Sequence, residues 1–219
     1  MTSRVISNWK IQKVIGDGIW QNKQYQEPTM KKILAKIILK IIGWKVVLQG
    51  DADNLDRCIL VVAPHTHNTE YLLGNLAYWS LGKKLKVIIK DAHTKAFYGG
   101  LVKAMGGVGI DRSQKNDLIN FVANEFKKDD FSLVITPEGT RSWVPKWRKG
   151  FYNMAMAAKV PIVLAGGDYK RKTINLGYKI PYEKLESHTY EEIMQEIQDF
   201  YIKYDITPKI PENWNPQIY

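Results

Sequence analysis

The sequence predicts an α/β protein: a mainly parallel or mixed sheet covered by helices on both faces, preceded by a membrane-associating amphipathic helix. Three observations carry this. Short runs rich in Val and Ile recur along the chain, bounded by Gly, Pro, Asp or Lys. Segments of helical periodicity lie between them, and strands alternating with helices favour parallel pairing covered on both sides. Near the start, a short basic and strongly apolar run stands apart from everything after it.

The N-terminal 29 residues are mixed in character and end in the polar run Gln21–Pro28, which reads as a lead-in or loop. Met30–Ile42 follows as MKKILAKIILKII. Lys32, Lys36 and Lys40 are four apart and form one stripe of a helix, and Ile and Leu cover most of the remaining circumference. At 1.5 Å per residue this run spans roughly 20 Å, too short for a ~30 Å hydrocarbon core. It reads as an interfacial helix with its apolar face among acyl chains and its lysines at anionic headgroups. The plainer alternative is a core helix whose lysines point to water.

The β-like runs are Cys58–Ala63, Leu85–Ile89, Phe131–Thr136, Val160–Ala165 and Thr173–Ile180. Helical patterns include Leu118, Ile119, Val122 and Phe126, then Met154, Ala155 and Ala158, then Ile193, Ile197 and Phe200 within Tyr190–Tyr201. Asp205–Tyr219, with three prolines, reads as an irregular tail. The predicted organisation is a lead-in and basic helix over 1–49, one α/β domain over 50–204 and the tail over 205–219.

Composition narrows the function. The 219 residues are 45% hydrophobic and 25% charged, sufficient for a sizeable core. A net charge of +10 favours an anionic partner: nucleic acid, anionic lipid or a phosphorylated substrate. Helix-turn-helix, zinc-finger and RNA-recognition signatures are lacking, so nucleic acid is not the expected partner. The single cysteine, Cys58, makes an internal disulfide impossible and fits a reducing compartment. No signal peptide and no uncharged apolar run of 18 residues is found, so no transmembrane helix is expected.

Two stretches carry chemistry. In CILVVAPHTHNTEYLLG the first strand delivers His65 to the carboxyl edge of the sheet, where α/β sites form. Asn68 or Thr69 is placed to cap the next helix, with Glu70 in its first turn. A carboxylate returning to one nitrogen of His65 fixes the tautomer and leaves the other nitrogen to take a proton from a hydroxyl. His65 and His67 also form a metal-type H-x-H, but a metal site wants three or more ligands, and His93 and His188 lack such spacing. Further on, MGGVGIDR ends in Arg112, and ITPEGTRS holds Glu138, Gly139, Thr140 and Arg141 after another apolar strand. Glycines permit close backbone approach, and the arginines are donor forks suited to phosphate. Glu138 is placed to position the arginines or an acceptor. Downstream, Arg141, Lys146, Arg148 and Lys149 interleave with Trp143 and Trp147.

Taken together, four ordered blocks resemble the PlsC-like glycerophospholipid acyltransferases: His65–Glu70, Gly106–Arg112, Pro137–Ser142 and the Val160–Val163 strand. They cover about residues 58–169, and PEGTRS is the most specific of them. Lys90 resembles a lysine that the family carries between its first two blocks. Glu70 stands where the family has aspartate, a carboxylate one methylene longer.

The resemblance implies an acyltransferase with His65 and Glu70 as its catalytic pair and Lys90, Arg112, Glu138, Gly139, Thr140 and Arg141 binding substrate. It implies acyl-CoA or acyl carrier protein as donor, a lysophospholipid such as 1-acylglycerol-3-phosphate as acceptor, no bound cofactor or metal, and a peripheral place on the cytoplasmic face of a membrane. A different lipid acceptor, an aminolipid or glycolipid, and a catalytically weak lipid-binding relative are the alternatives.

Overall fold

The structure, a computed structural model, describes residues 29–110 and 118–218, together with two short strands, β1 (Gln12–Ile15) and β2 (Ile19–Asn22), that pair antiparallel. Those strands fall where the sequence suggested only a lead-in. After them come α1 (Met30–Ile41), β3 (Lys45–Leu48), β4 (Cys58–Val62), α2 (Thr69–Leu81), β5 (Leu85–Lys90), α3 (Asp91–Lys95), α4 (Gly99–Ala104) and β6 (Gly107–Ile110). The second half adds α5 (Leu118–Lys128), β7 (Ser132–Ile135), α6 (Gly150–Ala158), β8 (Ile162–Asp168), β9 (Thr173–Ile180), α7 (Tyr182–Ser187) and α8 (Tyr190–Tyr204).

Seven strands form one sheet in the order β3-β9-β8-β4-β7-β5-β6. β8, β4, β7, β5 and β6 are mutually parallel, with Leu60 opposite Val134 on one side and Val163 on the other. β9 runs antiparallel to β8 and parallel to β3, so the sheet is mixed. The reversal follows from chain length: only residues 169–172 separate β8 from β9, enough for a hairpin but not for a parallel crossover. Buried Asp168 anchors that hairpin by accepting the backbone N–H groups of Lys170 and Arg171, both at 3.0 Å.

Period-2 alternation divides the core into two layers. Ile59, Val61, Ile162 and Leu164 face one way and pack with residues of α5, α6 and α8. Cys58, Leu60, Val163 and Ala165 face the other and pack with Leu73, Ala77 and Tyr78 of α2 and Leu39 of α1. Both faces are therefore apolar, which is why these strands read as continuous hydrophobic runs. In the first layer Phe126 stacks on Phe131 at 4.3 Å, adding about 0.5–1.5 kcal/mol beyond area burial. In the second, the Tyr78 hydroxyl donates to Ser132 Oγ (2.9 Å), which donates to the Leu55 carbonyl (2.7 Å), so these buried polar groups are satisfied.

Besides β1 and β2, the strands β3 and β6 and the short helices α3, α4 and α7 have no counterpart among the sequence patterns. β3 is a four-residue strand at the sheet edge, too short for a pattern. β6 lies where a glycine loop was expected, because its glycines serve close packing. A Cβ on Gly107 would meet the Val102 carbonyl oxygen at 2.8 Å, and one on Gly109 would meet Thr94 Oγ1 at 2.3 Å. α3 and α4 rest directly on the strand.

α1 is not the core helix of the plainer reading, although Lys36 and Lys40 do reach water. Only Ala35 and Leu39 are buried. Met30, Ile33, Leu34, Ile37 and Ile41 are exposed, opposite the face packed on the domain, while Lys32, Lys36 and Lys40 line one flank. Lys31 Nζ sits 4.1 Å from the ring centroid of Trp79 on α2. Among the described residues, no helix is long and apolar enough to cross a membrane. The tail is irregular, as expected, apart from one 3-10 turn at Pro211–Asn213, yet it is packed down: Ile206 and Ile218 are buried in the first core layer.

Candidate active site

β4 ends at Val62, and the chain turns through Ala63, Pro64 and His65 into α2 at the carboxyl edge of the sheet. Glu70 closes the turn. Its Oε2 lies 2.8 Å from His65 Nδ1. Its Oε1 accepts the N–H of His67 (3.0 Å) and the hydroxyl of Thr66 (3.1 Å), and the N–H of Thr66 lies 3.1 Å from both oxygens. A single carboxylate thus gathers the donors that open at this end of α2 and orients the imidazole as well. Glu70 is 8% exposed, and burial strengthens each of these charge-assisted bonds. Since the carboxylate accepts only, the proton of the neutral ring is assigned to Nδ1, and Nε2 is left as the acceptor.

Helix capping differs from expectation. Asn68 is the N-cap residue but makes no side-chain cap bond. Its Oδ1 instead accepts from Arg141 Nη1 at 3.1 Å, bringing that guanidinium beside the histidine turn. His67 Nδ1 accepts the N–H of Thr69 (3.1 Å), so His67 works as part of the turn.

Glu138 holds the backbone of the histidine turn. It is buried beneath His65, and its Oε1 accepts the His65 N–H at 3.0 Å rather than meeting an arginine. Burial pushes its carboxyl up to about 7, against the pull of the His65 N–H. Oε2 has no hydrogen-bond partner among the described residues. Gly139 holds a positive φ of 66°, and a Cβ there would lie 2.8 Å from the Arg148 guanidinium carbon, so glycine is required twice over. Thr140 is exposed, its hydroxyl accepting the Ser142 N–H at 3.4 Å. Lys90 is the last residue of β5, at the same sheet edge. Arg112 lies outside the described residues. The basic and aromatic interleaving after Arg141 divides: Trp143 is exposed, whereas Trp147 is core, packed against Phe151 and Tyr201.

Beside His65 opens a cavity of about 400 Å³ between α2 and the second face of the sheet. Leu60, Val62, Leu73, Val87, Val134 and Leu176 are among its lining, with His65, Asn68 and Glu70 among the few polar residues. An apolar chamber with a small polar cluster is the usual construction of a site for a mostly apolar ligand. Gly74 borders it, and a Cβ built there meets nothing within 4 Å.

The chain matches the family model described as Acyltransferase over residues 45–164, more than half its length, from β3 into β8. The chain belongs to the acyltransferase family. Among its relatives are the 1-acyl-sn-glycerol-3-phosphate acyltransferases of Salmonella typhimurium (31% identical over 135 residues, 56% of this chain and 52% of that one) and Cocos nucifera (27% over 138 residues, 60% and 44%). This acyltransferase-family chain spans about half the length of the curated relatives it matches. In fold it is similar to the crystal structure of the 1-acyl-sn-glycerophosphate (LPA) acyltransferase PlsC from Thermotoga maritima, at a TM-score of 0.53 and 16% identity, covering 80% of this chain and 77% of that one.

Several site features in this acyltransferase-family chain had no signal in the sequence. Thr66 is buried and, besides donating to Glu70, accepts the N–H of Ile210 at 3.3 Å, so the tail braces the histidine turn. Tyr169 reaches Thr69 Oγ1 at 2.6 Å and packs edge-on against Trp44. These contacts join residues about a hundred positions or more apart, beyond any local pattern.

Proposed function

We propose that the protein moves a fatty acyl chain from a thioester, acyl-CoA or acyl carrier protein, to the hydroxyl of a lysophospholipid such as 1-acylglycerol-3-phosphate at a membrane surface. The observation that carries this is the His65–Glu70 pair at the wall of an apolar cavity, with Arg141 beside it. His65 Nε2 takes the proton of the acceptor hydroxyl, and the oxygen attacks the thioester carbonyl. The carbon–sulfur bond then breaks, and the departing thiolate takes the proton back from His65. Glu70 holds the ring and stabilises its protonated form. The acyl chain occupies the cavity. Arg141 and Arg112, with Lys90 and Thr140, hold the phosphate-bearing acceptor, and Glu138 and Gly139 shape the loop that carries Arg141. Cys58 is no rival nucleophile: it is fully buried, and burial raises its thiol to about 12. The exposed ridge of α1, flanked by lysines, is the membrane contact on the cytoplasmic face.

The test is thiol release from acyl-CoA and acyl carrier protein donors, with lysophosphatidate and with uncharged monoacylglycerol as acceptors. Release that depends on lysophosphatidate is expected. Release that ignores the acceptor, or none with any donor, would overturn the reading. Arg141→Ala is expected to raise KM for lysophosphatidate roughly 10- to 100-fold, the worth of a charge-assisted hydrogen bond, and to leave transfer to monoacylglycerol unchanged.

Gly74 allows a test of the cavity's role. Gly74→Leu fills empty space rather than clashing, so folding is expected to survive and the chamber to shorten. In competition assays with mixed donors, preference is expected to move toward shorter chains by several carbons. An unchanged chain-length profile would remove the acyl chain from this cavity.

A further inference from the structure

The α3–α4 elbow has two apolar sides. On the inner side, Val102 and Met105 line the cavity together with His93. On the outer side, Phe97 is 101% exposed and Leu101 66%, with Tyr98 exposed between them. This is a held geometry. The Thr94 hydroxyl donates to the Asp91 carbonyl at 2.8 Å, and Gly99 lies so close to Thr94 that a Cβ would meet its carbonyl oxygen at 2.1 Å. The Tyr98 hydroxyl is 2.8 Å from His93 Nδ1, and Phe97 packs edge-on against Tyr98. The backbone is pinned inward while large apolar side chains are presented outward, where water is an unfavourable neighbour.

The elbow's surroundings select the occupant. α2 is the common neighbour: it carries α1 through Trp79, receives the end of α4 through the Tyr71 hydroxyl on the Met105 carbonyl (2.8 Å), and exposes Leu72. The apolar ridge of α1 and the elbow thus flank one helix. Lys103 stands exposed in the last turn of α4, suited to an anionic headgroup.

We infer that the α3–α4 elbow is a bilayer-inserting portal: Phe97 and Leu101 enter the acyl region of an anionic lipid surface, and Val102 and Met105 form the inner wall along which an acyl chain passes into the cavity. What passes rests on the acyltransferase reading; the insertion of Phe97 and Leu101 does not. A membrane fits better than an acidic carrier protein, because the exposed Phe97, Tyr98 and Leu101 are apolar and the charges beside them are Lys103 and Lys95, the latter paired with Asp91.

Cys58 is buried and unreactive, so Phe97→Cys in the otherwise natural chain gives one accessible thiol for an environment-sensitive fluorophore. Vesicles of phosphatidylglycerol and phosphatidylethanolamine are expected to shift its emission to the blue, and brominated-chain lipids to quench it several-fold more than the same label at Glu191→Cys on α8, which packs on the opposite sheet face. A probe at 97 that stays aqueous, whether vesicles are bound or not, overturns the portal, as does one covered only by added acyl carrier protein. The Phe97→Asp, Leu101→Asp double variant is expected to lose at least tenfold in transfer from vesicle-held substrates. Its transfer between soluble short-chain substrates is expected to stay within twofold. Equal loss in both assays with the fold intact makes the elbow a packing element and overturns the inference. If the wild type transfers no acyl group at all, the acyltransferase reading fails while quenching still decides the insertion.

Discussion

Replacing His65 with Ala is expected to lower kcat for acyl transfer by about a thousandfold or more with the fold intact, at the upper part of the range for a lost general base. Glu70→Gln is expected to cost roughly a hundred- to a thousandfold, for a different reason. An amide in place of the carboxylate cannot accept from Thr66, His67 and His65 at once without turning its NH2 toward one of those donors. If the NH2 faces His65, the ring must accept at Nδ1 and carry its proton on Nε2, the wrong tautomer for a base. Glu70→Asp keeps the charge but falls one methylene short of a turn built around the longer side chain, so a loss nearer tenfold is expected. The measurements are kcat and its pH profile, with circular dichroism to confirm folding. A positioning role predicts that Glu70→Gln moves the pH profile as well as the rate. Retention of more than a tenth of wild-type kcat by His65→Ala would remove the histidine from the chemistry.

How far these features can be read from the chain depends on the distance over which each is specified. β9 occupies the same residues, Thr173–Ile180, as its apolar run, because its pattern is local and its ends are marked by Lys172 and Pro181. The His65–Glu70 pair is legible for the same reason: five residues, a strand end and one helical turn bring the groups together. β6 is not legible, since two of its four residues are glycines that admit α3 and α4, and Val108 and Ile110 alone are too few to separate a strand from a glycine loop. The place of Glu138 is not legible either. Its sequence neighbours are Gly139 and Arg141, which suggests arginine pairing, whereas its partner is a backbone N–H that is 73 residues away in sequence. The burial pattern of α1 was ambiguous in sequence because the helix is apolar over most of its circumference, and only contact with α2 decides which part is covered.

Glu138 leads to the second large effect, on stability. In the unfolded chain its carboxyl titrates near the ordinary value of 4.5; in the folded protein burial raises it to about 7. The folded state therefore binds the proton more tightly. Between those two values the native carboxyl is neutral while the unfolded one is ionised, so stability falls as pH rises through this window. Above about pH 7 both are ionised, and the whole cost of a buried carboxylate is present. From the gap between those two values that cost is about 3 kcal/mol, and the unpartnered Oε2 is a plain source of it. Glu138→Gln keeps an oxygen for the His65 N–H and cannot ionise. Its Tm relative to wild type is therefore expected to climb between pH 4 and pH 8.5, by roughly 6–12 °C at the usual 2–4 °C per kcal/mol for a chain of this size. Thermal unfolding of both proteins at four pH values measures it. Parallel curves would mean that Glu138 is ionised and compensated throughout, and that the His65 turn rests on a permanent charge rather than on a carboxyl that is neutral in acid and strained in base.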